Sequence, residues 1–317
     1  MATRPTFRPA ELIRATAIAR RYYLEGESKV RIADDFGISR FKVARILDEA
    51  RDAGIVRIEI SAPTEIDASL SHDLRTAYRL HEAVVVDQAG DDETVRRSMG
   101  RIAAEYLTEI LEEGDTLGLA CSRTLNEMTL ALGELPRCTV VQLTGVLPGG
   151  VEENSVELVR RVASLARGPA FPIYAPLVVS DAATTRALRA QPQVADAMQR
   201  YGHLSKAVVA IGAWTPTRSL VRDALPLEEG ARLEEQGVRA EVCARTVDAQ
   251  GAPTAPGLSE RVVAITLEQL RAVPEVVAVA GGAGKAEAIR AVLRTGVVGS
   301  LVTDVATARL LLEPGGA

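Results

Sequence analysis

Arg40, Lys42 and Arg45, with Ser39 and Phe41 among them, bring three cations, a hydroxyl and a ring into about two helical turns. These types suit DNA: guanidinium and ammonium groups meet phosphates and base edges, and a serine hydroxyl caps the start of a helix. A second cluster lies in Leu117-Gly118-Leu119-Ala120-Cys121-Ser122-Arg123-Thr124-Leu125. In an open parallel sheet, ligands bind beyond the carboxyl ends of strands, where helix N-termini present free N–H groups. There the hydroxyls of Ser122 and Thr124 and the charge of Arg123 could hold a phosphate or a sugar oxygen. The same residues equally fit an ordinary capped helix, with Ser122 capping and Arg123 in water. A third cluster, Val279-Ala280-Gly281-Gly282-Ala283-Gly284-Lys285-Ala286, invites comparison with a phosphate-binding P-loop. That reading fails, because Val279 stands five places before Gly284 and Ala286 follows Lys285 where a Ser or Thr would hold Mg²⁺. What survives is more general: glycines let backbone approach a ligand closely, and Lys285 is a point charge suited to an anion.

The first cluster needs two short helices and a tight turn to position it, and Lys29 to Leu47 supplies them. Ala33 is small where the helices must touch, Gly37 can take the positive φ that ends the first, and Ser39 can cap the second. Ile32, Phe36, Ile38, Val43 and Ile46 point into the angle between the helices, which leaves Arg40, Phe41, Lys42 and Arg45 on or near the outer face. Two amphipathic helices joined at a glycine also occur in domains that never touch nucleic acid. The agreement of so many positions favours a helix-turn-helix whose second helix enters a DNA major groove. Glu11 to Leu24 reads as a helix covering it through Leu12, Ala15, Ile18 or Ala19, and Tyr22. Ile55 to Ile60 alternates like a strand, either a wing touching phosphate through Arg57 or a strand that only closes the domain.

Beyond Pro63, a stripe of Ile66, Leu70, Leu74 and Ala77 reads as a linking helix that packs on the large domain or on a second subunit, with a preference for the subunit. Strands and helices then alternate, as in a mostly parallel sheet covered on both faces. Strands are expected at 83–87, 116–120, 139–143, 206–211, 276–280 and 300–303. Helices are expected at 93–113, 125–135, 154–166 and 286–294. The division is a helix-turn-helix domain at 1–60, a helical linker at 61–82 and a large domain at 83–317.

The 317 residues carry a net charge of −5, but Met1 to Ile60 holds 12 Lys and Arg against 9 Asp and Glu, so a +3 head sits on a −8 body. One end can meet phosphates while the other stays off them. With 47% hydrophobic and 25% charged residues and no apolar run of membrane-span length, the composition is globular, with no membrane partner. Absence of a secretory signal, with Cys121, Cys138 and Cys243 widely separated, fits the reducing cytoplasm. His72, His81 and His203 lack a neighbour at ligand spacing, so no metal and no cofactor is expected. Nor is a catalytic residue expected: no nucleophile elbow, zincin helix or dinucleotide fingerprint is present, and Asp91-Asp92 and Glu152-Glu153 read as solvated loop charges. Cys121 could be a nucleophile or, more commonly, an inert thiol.

SKVRIADDFGISRFKVARILDEARDAGIVRIEI, followed by GDTLGLACSRTL, TVVQLTG, KAVVAIG and VVAVAGGAGKAEAIRAVLRTGVVGSLVTDVATARLLL, resembles the SorC family of sugar-responsive bacterial transcription regulators along nearly the whole chain. The resemblance implies an α/β protein: an N-terminal winged helix-turn-helix, then a Rossmann-like open parallel-sheet effector domain related to sugar-phosphate isomerases and CoA transferases. It implies operator DNA and a sugar or sugar-phosphate effector as partners, in a homodimer or homotetramer. Carried over by residue, it places Ser122, Arg123 and Thr124 in the loop that grips the effector and Thr144 and Gly145 in the next strand-end loop. Lys285 falls in the glycine-rich loop, Asp304 near the same cleft, and Glu241 where members often present a polar group to the ligand. Many members carry Trp-Gly where this chain has Cys121-Ser122, a change that would reshape the pocket. The rival reading is a sugar-phosphate-metabolising enzyme carrying a DNA-binding head; a structural DNA-bridging protein would leave the glycine-rich loop unexplained.

Overall fold

A computed structural model describes residues 7–57, 65–147 and 155–313, in two compact units, 1–61 and 62–317. In the first, α1 (Pro9–Tyr23), α2 (Lys29–Phe36) and α3 (Arg40–Asp52) enclose a core that includes Ala15, Ile18, Ile32, Ala33, Val43 and Ile46. Local chemistry sets each end. Ser28 caps α2 by accepting from Arg31 N–H at 3.3 Å, Gly37 ends it at φ 62°, and Ser39 caps α3 by accepting from Lys42 N–H at 3.2 Å. Arg21 of α1 pairs with Asp35 of α2 and with Glu27 just before it. Two details differ from expectation. Leu12 is exposed rather than part of the covering face. Ile55 to Arg57 form no strand, and the remainder of the expected wing, 58–60, lies outside the described residues.

The second unit begins with α4 (Ala68–Tyr78), β1 (Glu82–Val86), α5 (Asp92–Ile110), β2 (Thr116–Leu119), α6 (Arg123–Ala131), β3 (Thr139–Gln142), α7 (Ser155–Leu165) and β4 (Ala170–Phe171). It continues through α8 (Ala182–Arg189), α9 (Pro192–Gln199), β5 (Lys206–Val209), β6 (Ile211–Ala213), α10 (Leu220–Asp223), α11 (Leu227–Glu235), β7 (Ala240–Val242) and β8 (Arg245–Val247). Last come α12 (Pro256–Ser259), α13 (Leu267–Arg271), β9 (Glu275–Val279), α14 (Ala286–Arg294), β10 (Ser300–Asp304) and α15 (Val305–Leu312). Seven strands form one parallel sheet in the order β1-β10-β9-β5-β2-β3-β4. Their near-continuous Val, Leu and Ala content follows from burial on both faces, since helices flank the sheet on each side.

All six expected strands are present within two residues of their expected ends. Beyond them lie the two-residue β4 and a small antiparallel sheet, β6-β7-β8. Of the two surfaces open to the helix expected within 61–82, α4 packs on the large unit. Ile66 bridges Val86, Asp67 N–H donates to Val85 O at 2.8 Å, and Ser71 Oγ accepts from Val85 N–H at 2.9 Å. Leu74 is fully buried in the main core, with Ile66 and Leu70 packed against it, while Ala77 faces solvent. The apolar stripe is therefore spent on its own unit, because β1 is an edge strand whose outer side needs a cover.

Candidate functional site

The residues beyond the carboxyl ends of β1, β2, β3, β5, β9 and β10 line one cleft of about 980 Å³. Ser122, Arg123, Thr124, Thr144, Gly145, Glu241, Lys285 and Asp304 all face it. The sheet brings together residues up to 182 positions apart because parallel strands carry every following loop to the same edge.

The loop after β2 starts its helix with a cap and places the neighbouring arginine at the cleft. Ser122 caps α6, its Oγ accepting from Leu125 N–H at 3.1 Å. Arg123 is not simply solvated: its guanidinium donates to Thr217 O at 3.1 Å, joining this loop to the segment between β6 and α10. The loop after β3 is held from below. Gly145 N–H donates to Val263 O at 2.8 Å, and Thr144 bridges Ala264. Arg245, buried without a carboxylate, donates to the carbonyls of Ile265, Ser259 and Ala264 at 2.8, 3.0 and 2.8 Å. Burial, with Arg189 adding repulsion, pushes its guanidinium down to about 10.

Asp304 does more than stand near the cleft. One oxygen accepts from Thr307 N–H at 2.9 Å and caps α15; the other accepts from Gly282 N–H at 2.6 Å and Thr307 Oγ at 2.7 Å. Its carboxylate is thereby spent on fixing the glycine-rich loop against α15. A Cβ on Gly281 would fall 2.4 Å from that carboxylate, so glycine is what lets the loop approach it. Glu241 is similarly engaged, accepting from Ala244 N–H at 3.0 Å and Ser219 Oγ at 3.3 Å. Burial pushes its carboxyl up against the pull of those donors.

The ammonium of Lys285, half-buried at the start of α14, makes one hydrogen bond among the described residues, a long one of 3.4 Å to Ile211 O. Its ammonium is pushed below the usual lysine range, first by burial and next by Arg123, with Arg218 and Arg96 adding and Glu241 opposing. Arg96 on α5 and Arg218 before α10 were not found by sequence reasoning. A signal did exist for Arg218, since Ser219 next to it caps α10 by accepting from Arg222 N–H at 3.2 Å. Among the described residues, none of Arg96, Arg123, Arg218 and Lys285 forms an ion pair with a carboxylate. The cleft therefore gathers four cations outside any such ion pair, among carboxylates that include Glu241 and Asp304, with hydroxyls and helix N–H groups at its rim.

Two thiols, Cys121 and Cys243, also line the cleft. Burial pushes the Cys243 thiol up, and that of Cys138, away from the cleft, up to about 11. The described residues hold no group of three or more His, Cys, Asp or Glu arranged to take a metal.

In the first unit, Phe41, 73% exposed, and the side chain of Arg45, 70% exposed, stand on the outer surface of α3 beside Arg40 and Lys42. The Arg40 guanidinium lies 4.9 Å from the Phe41 ring centre, and Arg45 approaches Glu49 at 3.4 Å.

Residues 62–313 match the Sugar-bind family model, described as "Putative sugar-binding domain". The chain is 29% identical over 302 residues to the uncharacterized transcriptional regulator YjhU of Escherichia coli K12, covering 92% of each protein. It is also 29% identical over 302 residues to the deoxyribonucleoside regulator of Bacillus subtilis 168, covering 93% of this chain and 96% of that one. Full-length sorbitol operon regulator SorC of Klebsiella pneumoniae shares the fold at TM-score 0.75 and 24% identity, over 96% of this chain and 100% of that one. The match to the family model spans most of the chain, and the protein belongs to the Sugar-bind family.

Proposed function

We propose that the protein is a DNA-binding transcription regulator controlled by a phosphorylated sugar. The convergence of Arg96, Arg123, Arg218 and Lys285, none in an ion pair among the described residues, carries this reading, because an anion entering the cleft relieves the mutual repulsion of these cations. Ser122, Thr124 and Thr144 supply hydroxyls for a sugar beside that charge. Asp304 and Glu241 act as positioning residues, since both carboxylates are committed to protein donors. That commitment, with regulator names on the curated relatives, favours sensing over the enzyme reading.

Ser39, Arg40, Phe41, Lys42 and Arg45 form the DNA-reading surface, with α3 in the major groove. One short helix gives little affinity alone, so the working form is a homodimer or homotetramer that pairs two heads on a two-fold operator. No described helix is long and apolar enough to cross a membrane, and the cytoplasm is the compartment proposed. Ligand and operator are coupled to the extent that the ligand prefers one of two protein states. Calorimetry against paired sugars and sugar phosphates, with operator binding measured in the presence of each, tests the proposal.

A further inference from the structure

On α3 the buried residues are Val43, Ile46, Leu47 and Ala50. At about 100° per residue, their common direction is opposite Phe41, so this ring is the outermost group at the N-terminal end of the helix. Arg45, one turn on, lies about 40° from it, while Arg40 and Lys42 stand about 100° to either side. Phe41 is also 73% exposed, with no part in the small domain's core. The Arg40 guanidinium, 4.9 Å from the ring centre, covers part of it and holds a charge at its flank.

A helix seated in a major groove sends its outermost residues to the base edges and its flanking cations toward the phosphates of the two strands. Polar groups line the floor of that groove, with a single apolar feature, the C5-methyl of thymine. An aromatic ring at the reading position cannot donate to or accept from a base edge, but it can cover that methyl. Three cations around the ring disfavour an apolar protein partner, which would have to strip water from all of them. Taking the DNA-binding reading above as its basis, we infer that Phe41 is a specificity-determining residue that reads a thymine methyl in each operator half-site, with Arg45 beside it on a base edge and Arg40 and Lys42 on phosphates.

The experiment uses the full chain. Selection from random duplex DNA yields its preferred site, and each thymine in that site is then replaced in turn by deoxyuridine, which removes only the methyl. Wild-type affinity should fall about fourfold at one thymine of each half-site, the worth of one buried methyl-sized group. Phe41→Ala should bind the thymine and deoxyuridine duplexes equally, whereas Phe41→Leu, still apolar, should keep part of the preference. A selected site in which no deoxyuridine substitution weakens the wild type overturns the inference, as does a preference that survives undiminished in Phe41→Ala. Failure to enrich any site would overturn the DNA-binding reading itself, so the two failures are distinguishable.

Discussion

Asp304 accepts the backbone N–H of Gly282 at 2.6 Å, and this contact ties the glycine-rich loop to the last residue of β10, just before α15. The same carboxylate caps α15 through Thr307 N–H. Asp304→Ala should therefore cost about 1–2 kcal/mol of stability through the lost cap, and ligand affinity should also fall although no ligand contact is removed. Urea unfolding and calorimetry on the same variant check both. Affinity unchanged in a destabilised variant would show that the loop holds its shape without the tether.

The recognition helix makes a separable prediction. Alanine at Arg45 should cost roughly 1–3 kcal/mol of operator binding and relax specificity at one base pair. At Arg40 or Lys42 it should weaken all sequences alike and lower the salt dependence. Fluorescence anisotropy at several salt concentrations distinguishes the patterns. A folded triple variant that binds like the parent would remove α3 from the interface.

Glu241 gives the stability a pH dependence with a defined sign. Burial raises its folded-state value above the ordinary 4.5, so the folded chain binds the extra proton. The stability this contributes is fully present below 4.5 and is lost as pH rises through the raised value. Glu241→Gln, which keeps an acceptor for Ala244 N–H, should flatten that part of the profile. Identical profiles of urea midpoint against pH for the two proteins would contradict the assignment.

Assembly is testable without a ligand. Light scattering at micromolar concentration should give a dimer or a tetramer. A monomer with full operator affinity would contradict the pairing of heads. The stripe at Ile66, Leu70 and Leu74 no longer supports that expectation, because it is spent within the large unit.

The legibility of these features in the sequence follows from their physics. Buried parallel strands must be continuous apolar runs, so 83–87, 139–143 and 276–280 stood out; Gly37 and Ser39 marked the end of α2 and the start of α3. The hairpin β7-β8 left no such mark. Its turn places Cys243 and Ala244 at φ 50° and 60°, positions where glycine or asparagine is the usual sign, and Glu241 holds it by a contact specific to this fold. Arg96 and Arg218 were hidden for another reason: a convergence of single residues from α5 and from the approach to α10 exists only once the sheet has aligned them. The stripe over β1 was left open between the large domain and a second subunit, with a preference for the subunit, because a half-exposed helix has the same periodicity whichever surface it meets.

Calorimetry of a sugar against its phosphate, in wild type, Lys285→Ala and Arg123→Ala, tests most directly whether the cleft is an anion-sensing sugar site. Wild type should bind the phosphorylated form more tightly and alter its operator affinity on doing so. Each variant should lose the phosphate preference while its ligand-free form binds the operator as before. Both variants responding to the same phosphorylated sugar with unchanged affinity would contradict it, leaving the glycine-rich loop a packing element and the effector site elsewhere.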